Sequence, residues 1–303
     1  MRVIHTYAHV KVPATSANLG PAFDCMGLAL DIWDDVEIRL GGEGVRVVIE
    51  GEGSDFLPRD ESHLILVAMR HALASAGIDN VGPLELYARN TIPQGRGMGS
   101  SAAAVVAGLL LARALVDEPE FYSLDRLLSL ATELEGHPDN AAPALYGGVT
   151  ISWVEDGASE SSQDVRAVNL HELVLRDVTV LVPDAKLLTT AVRSVLPKDV
   201  SHHDASFNVS RTALLVLSLM KEKDFLMTAT EDLLHQDYRA ASMPASAQMV
   251  NYLRSMGYPA VISGAGPSVL VFGTLQPEVK NECEAKNFRI LSTQIGKGAH
   301  QKQ

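Results

Sequence analysis

Ile92-Pro93-Gln94-Gly95-Arg96-Gly97-Met98-Gly99-Ser100-Ser101 stands between a strand-like run and a helix-like run, and its reading decides the fold. Leu84 to Ile92 alternates apolar and polar residues, the period of a half-buried strand. Ser101 to Leu115 is rich in Ala and Leu and stops before Asp117-Glu118-Pro119, as a helix with a proline terminator does. Glycines at 95, 97 and 99 let the intervening backbone take positive φ and approach a ligand closely. Such a turn brings free N–H groups and the positive end of a helix dipole to one point, an anion site best suited to phosphate. No Gly-Lys-Ser/Thr follows, so it is not a Walker A loop, and the glycine spacing is not that of a dinucleotide fold. A tight turn without a ligand is the plainer alternative. The serines favour phosphate: one can cap the helix while the other keeps its hydroxyl for a metal or a phosphate oxygen.

The bulk of the chain sets the frame for that loop. With 303 residues there is room for two modest domains, and 47% hydrophobic content can build a core. Asp and Glu number 37 against 25 Lys and Arg, a net charge of −12 that argues against nucleic acid and anionic membrane as partners. Cys25 and Cys283 form no metal or disulfide spacing and suit a reducing compartment. The start, Met1 to Tyr7, lacks a signal-peptide core. The longest apolar stretch, Ala102 to Ala112, falls short of the roughly 18 residues a membrane span needs. A soluble, cytoplasmic protein is expected.

Strand and helix signals interleave in both halves, which predicts an α+β or α/β architecture. Val10 to Pro13 reads as a strand, Val36 to Glu50 as a hairpin about Gly41-Gly42, and Asp60 to Gly77 as a helix. Helices are expected over Ser123 to Glu135, Asn208 to Met220 and Phe225 to Leu234. Strands are expected at Val178 to Val182 and on both sides of Ser263-Gly264-Ala265-Gly266-Pro267. The polar stretch from Val154 to Asp164 is the best boundary, giving domains 1–155 and 164–303.

Pro93 to Ala103 resembles the second motif of the GHMP kinases, the family of galactokinase, homoserine kinase and mevalonate kinase. Pro13-Ala14-Thr15-Ser16-Ala17-Asn18-Leu19-Gly20-Pro21-Ala22-Phe23-Asp24 is similar to the first motif of the homoserine kinases in that family, with Ala22 where a second Gly is usual. Glu135-Gly136-His137-Pro138-Asp139-Asn140-Ala141-Ala142-Pro143-Ala144 resembles a third segment. Leu188 to Pro197, His235 to Arg239 and Ser263 to Ser268 follow in the same order. The resemblance implies an N-terminal domain like the second domain of ribosomal protein S5 and a ferredoxin-like α+β C-terminal domain. ATP and substrate would meet between the two. The activity implied is ATP-dependent phosphorylation of the L-homoserine hydroxyl, a step of threonine biosynthesis, with Mg²⁺; a homodimer is compatible with it.

Homoserine carries a carboxylate, an ammonium and a hydroxyl, and each makes a demand on a site. Arginine is the bidentate donor for a carboxylate, and Arg193 and Arg239 are available. Asp24 can meet the ammonium; Asn18 and His137 can aim the hydroxyl. The family's substrate contacts carry onto the same five positions. The resemblance also implies that Pro93, Gln94, Gly95, Arg96, Gly97, Met98, Gly99, Ser100, Ser101, Ala102 and Ala103 wrap the nucleotide. Ser100 and Glu133 would hold the metal, with Glu135 the alternative to Glu133. Asp139 would be a general base, or Asn140 or the γ-phosphate would serve in its place. Where relatives often carry an Asn at the start of a helix near the adenine, this chain has Ser62-His63. His202-His203-Asp204 lacks a third metal ligand at recognisable spacing and reads as structural. Another alcohol as substrate, or a nucleotide-binding protein without catalysis, are the rival readings.

Overall fold

In a computed structural model the described residues are 1–155, 164–185 and 192–302. They form two sheets with helices packed on them. The larger sheet holds β1 (Tyr7–Ala17), β2 (Met26–Leu40), β3 (Val45–Gly51), β4 (Leu84–Asn90), β5 (Val149–Glu155), β6 (Asp164–Leu170) and β11 (His300–Gln301). The smaller holds β7 (Asp177–Pro183), β8 (Ala260–Ile262), β9 (Val269–Phe272) and β10 (Phe288–Gln294), in the order β10-β7-β9-β8. The helices are α1 (Leu64–Ser75), α2 (Ser100–Leu115), α3 (Leu124–Glu135), α4 (Ala141–Tyr146), α5 (His202–Met220), α6 (Leu226–Ala229), α7 (Gln236–Arg239), α8 (Pro244–Ser255) and α9 (Pro277–Ala285). None is long and apolar enough to cross a membrane.

The larger sheet buries one face by strict alternation: Val10 and Val12 on β1, Val36 and Ile38 on β2, Leu84 and Leu86 on β4. Helix α2 lies in that interior, apolar on most of its circumference. Gly108 lets α1 come against it, since a Cβ there would sit 2.2 Å from the Ile65 carbonyl oxygen. The loop before α2 is thereby fixed to a rigid helix buried in the core, which is where a binding loop is best supported.

Three expectations are corrected. The segment Val36 to Glu50 is not a hairpin: β4 lies between β2 and β3, antiparallel to the first and parallel to the second, with Leu86 opposite both Ile38 and Val47. Gly41, Gly42 and Gly44 all have positive φ with nothing near a would-be Cβ, so the connection is wide enough to carry β3 one place over. The inner strand β4 buries Leu84, Leu86, Ala88 and Asn90, whereas the edge strand β3 buries only Val47 and Ile49. The boundary expected between 155 and 164 falls inside the larger sheet, because β6 pairs with β5 from Asp164 opposite Glu155 to Leu170 opposite Val149. The chain crosses to the smaller sheet only after Leu170; residues 156–163 lie outside the described set. The helix expected over Phe225 to Leu234 ends at Ala229. Thr230 turns its hydroxyl back to the Leu226 carbonyl, and the Asp232 carboxylate accepts the N–H groups of Leu234, His235 and Gln236, offering the backbone a better arrangement than a continued helix.

Candidate active site

Gly95, Gly97 and Gly99 all lie in the left-handed region, with φ of 67°, 71° and 67°. At Gly97 a Cβ would lie 2.3 Å from the Ser263 carbonyl oxygen, and at Gly99 1.9 Å from the Thr15 hydroxyl. The loop is therefore clamped between β1 and the 263–268 turn. Its carbonyls are used in that clamp: Met98 accepts from the Thr15 N–H, Arg96 from the Ser268 N–H, and Gly97 from the Ser263 hydroxyl. With the carbonyls tied back, the first turn of α2 has no side-chain cap; Gly99, not a serine, holds the N-cap position. The Ser101 hydroxyl instead donates to Glu135 at 2.5 Å.

Loop and helix start form one wall of a cleft of about 740 Å³. Gln94 to Gly97 and Gly99 to Ala103 line it, while Pro93 and Met98 are buried in the body of the protein. Arg96 turns its guanidinium to the carbonyls of Asp184 and Ala185, at 2.7 and 3.3 Å.

The metal expectation divides. Glu133 sits 2.8 Å from His71 and does not line the cleft. Two positions along a helix turn the side chain by about 200°, so Glu135 faces the loop when Glu133 faces away. Burial pushes the Glu135 carboxyl above the usual carboxylate range, the Ser101 bond opposing it. Ser100 lines the cleft beside it. Carboxylate and hydroxyl oxygens gathered at a helix start are of the kind that Mg²⁺, a hard cation that keeps few protein ligands, accepts.

The turn after β1 carries the second wall. Asn18, Leu19 and Asp24 take positive φ, of 68°, 49° and 56°. Asn18 makes this possible: its Oδ1 accepts from the Asp24 N–H and its Nδ2 donates to the Gly264 carbonyl. Asp24 accepts from Arg193 Nη2 at 2.6 Å. Leu188 to Ala191, part of the segment that leads to Arg193, lies outside the described residues. Past α3, Gly136 ends the helix in the left-handed region and delivers His137, Asp139 and Asn140. Asp139 Oδ1 lies 2.8 Å from His137 Nδ1 and accepts from Asn140; Asn140 Oδ1 accepts from Thr15. The Asp139 bond holds the His137 ring above the ordinary histidine value against its burial.

Arg239 is 2% exposed, an unusual place for a guanidinium. Nη1 lies 3.2 Å from His235 Nδ1 and donates to Gly264 O at 3.3 Å; Nε is buried with no partner among the described residues. Phe23 packs against both arginines, its ring centre 5.5 Å from Arg239 Cζ and 5.6 Å from Arg193 Cζ. Asn18, Asp24, His137, Asp139, Asn140, Arg193 and Arg239 thus share the cleft with the loop. His202 and His203 do not; they open α5, with Ser201 capping it.

Asp34 carries no signal in the sequence, and His63 is noted there only as standing, with Ser62, where relatives often carry an Asn. Asp34 and His63 line the cleft, as do the apolar Leu57 and Ile65. Burial pushes the Asp34 carboxyl up to about 7, even though it accepts the N–H groups of Thr91 and Ile92. His63 caps α1 by accepting from the Ile65 N–H, and burial lowers its pKa. Asp34 stands in an ordinary strand, with no local signal to mark it.

Comparison with known proteins agrees with this geometry. Residues 63–148 match the GHMP kinases N terminal domain and residues 214–289 the GHMP kinases C terminal family. A homoserine kinase of Clavibacter michiganensis subsp. michiganensis is 48% identical over 266 residues, 88% of this chain and 82% of the relative. One from Mycolicibacterium vanbaalenii is 46% identical over 96% of this chain and 93% of the relative. The crystal structure of homoserine kinase from Cytophaga hutchinsonii superposes with a TM-score of 0.82 at 25% identity, covering 100% of this chain and 99% of that one. A crystal structure of mevalonate kinase shares the fold at a TM-score of 0.66 and 12% identity, over 95% of this chain and 99% of that one. Motifs, glycine clamp and kinship converge: the chain belongs to the homoserine kinase family of the GHMP kinases.

Proposed function

We propose that this protein transfers the γ-phosphoryl group of ATP to the hydroxyl of L-homoserine, giving O-phospho-L-homoserine and ADP, in the cytoplasmic synthesis of threonine. The observation that carries the substrate is Arg239. A guanidinium so deeply buried, met by a neutral ring and a carbonyl with its Nε unpaired among the described residues, supports a site that receives an anion. With Arg193 beside the same phenyl ring and Asp24 adjacent, the cleft offers a fork for a carboxylate and an anion for an ammonium.

Phosphoryl transfer asks chiefly for alignment and charge neutralisation. The N–H groups at the start of α2 and the loop from Gln94 to Ser101 would hold the β- and γ-phosphates. Glu135, Ser101 and Ser100 would hold Mg²⁺, which neutralises developing charge on the phosphates when bound. Asn18, His137 and Asn140 would aim the substrate hydroxyl. Its oxygen bonds to the γ-phosphorus as the bond to the β–γ bridging oxygen breaks, and ADP leaves with that electron pair. The hydroxyl proton passes to a phosphate oxygen or to Asp139. A loose transition state needs little from a base, so Asp139, with Oδ1 shared by His137 and Asn140, suits the holding of those two groups.

The test is ADP release with Mg²⁺ across L-homoserine, mevalonate, shikimate and 2-hydroxy acids. Turnover of L-homoserine above all others is expected. Turnover confined to a hydroxy acid without an ammonium would overturn the substrate and leave the kinase standing.

A further inference from the structure

We infer that His235 positions Arg239: its Nδ1 lone pair fixes the guanidinium in the pose that receives the substrate carboxylate. The inference rests on the reading of Arg239 as that receptor.

The ring is fully buried, and its neighbours dictate its tautomer. Nδ1 faces Arg239 Nη1 at 3.2 Å, and a guanidinium can only donate. Nε2 faces the Gly20 carbonyl at 2.7 Å, and a carbonyl can only accept. The proton must therefore sit on Nε2, leaving a neutral ring with a lone pair aimed at the arginine. Burial and the neighbouring Arg239 charge both oppose a second proton; Asp232 favours one. The Asp232 carboxylate is itself filled, by Asn208 Nδ2 and three backbone N–H groups, so it anchors the turn without competing for the guanidinium. Asn208 in turn donates to the Pro21 carbonyl, next to Gly20. The result is a bracket that links the 18–24 turn to α7 through one imidazole. His235 and Arg239 are four positions apart, one helical turn, so the pair is set by local geometry. A carboxylate at Nδ1 would neutralise Arg239 and compete with substrate. A neutral acceptor orients the fork and leaves its charge free.

Two substitutions divide the ring's two bonds. In His235→Asn the side-chain oxygen can fall near the Nδ1 position and keep an acceptor for Arg239. In His235→Gln the amide reaches the Nε2 position and keeps the donor to Gly20 while the acceptor is lost. With wild type and both variants, KM for L-homoserine and for ATP and kcat are measured. 3-Aminopropan-1-ol, the same alcohol without its carboxylate, serves as a second acceptor. The expected result is a rise in homoserine KM of about tenfold or more for His235→Gln, in line with a lost hydrogen bond to a charged group. His235→Asn should stay within about threefold. ATP KM, saturating kcat and the slow turnover of 3-aminopropan-1-ol should be unchanged in both. Equal losses in the two variants, or a matching loss with 3-aminopropan-1-ol, would show that the ring only supports the turn. A wild type without homoserine turnover removes the functional reading and this inference with it; turnover that His235→Gln leaves untouched removes this inference alone. Should His235→Gln fail to melt cooperatively, nitrogen NMR of the wild-type ring decides: a bare Nδ1 and protonated Nε2 are required, and a protonated Nδ1 overturns the assignment.

Discussion

Arg193 and Asp24, separated by 169 positions in the chain, meet through a 2.6 Å hydrogen bond from Nη2 to Oδ1. The side chains are 41% and 31% exposed, so the pair is worth only about 0–1 kcal/mol in water. That weakness matters for function. A zwitterion entering the cleft can exchange one internal pair for two, its carboxylate on the arginine and its ammonium on the aspartate, at little cost.

Arg193→Ala should therefore raise homoserine KM by about 10–100-fold, the loss of a charge-assisted contact of about 1.5–3 kcal/mol. ATP KM should move by less than about twofold. Initial rates at varied homoserine and fixed saturating ATP give both numbers. An ATP KM that rises in step would mean that Arg193 serves the nucleotide instead.

The glycine clamp makes a different demand. Gly97→Ala places a methyl 2.3 Å from the Ser263 carbonyl oxygen and 2.7 Å from that of Gly266, at a φ of 71°. Both obstacles are backbone, so the loop itself must move. The left-handed conformation alone costs an alanine about 1–2 kcal/mol. A lower melting temperature and an ATP KM raised about tenfold or more are expected, with homoserine KM less affected. Unchanged ATP binding by calorimetry would mean that the loop does not touch the phosphates.

Glu135→Gln and Glu133→Gln form a paired test of the metal side. The first should raise the Mg²⁺ concentration for half-maximal rate by about tenfold or more; the second should leave it within about twofold. The Glu135 carboxyl is held high by burial, so it is protonated at a higher pH than an ordinary glutamate. Metal demand in the wild type should accordingly increase as pH falls through that raised value, and Glu135→Gln should remove the trend. A flat Mg²⁺ requirement across pH in the wild type would contradict it.

What could be read in advance divides by range. The loop was legible because positive φ is a local demand that the glycines at 95, 97 and 99 advertise. Ser123 and Gly136 mark the ends of α3 in the same local way. Asp24, Arg193 and Arg239 came from motif order, and the cleft contains all three. The choice between Glu133 and Glu135 has no local signal, because it turns on which side of the last helical turn faces α2, a packing fact. The hairpin failed because β3 and β2 do not compete in isolation: β4, more than 30 positions on, takes the place between them. Asp34 was silent for the same reason, since its burial comes from the cleft wall. His235 was quoted within a motif, yet its bond to Gly20 spans 215 positions and has no trace in its own neighbourhood.

Asp139→Asn separates two roles and carries a pH signature. Asp139 raises the His137 ring above its ordinary value of about 6.5 through their hydrogen bond, while burial pulls the other way. A raised folded value on a base means that the pair's stabilisation is fully present below about pH 6.5 and lost as pH rises through the folded value. Removing the aspartate charge leaves burial in control, so ring-proton NMR should show the His137 pKa falling. The stability gap between wild type and variant should be widest near pH 6 and narrow toward pH 9 in urea unfolding. Catalysis gives the second readout. Asparagine can still accept from His137 and Asn140, so a holding role predicts kcat within about tenfold of wild type. A general base predicts a loss of about 10²–10⁴-fold. A loss that large with the His137 pKa unmoved would return Asp139 to the chemistry itself.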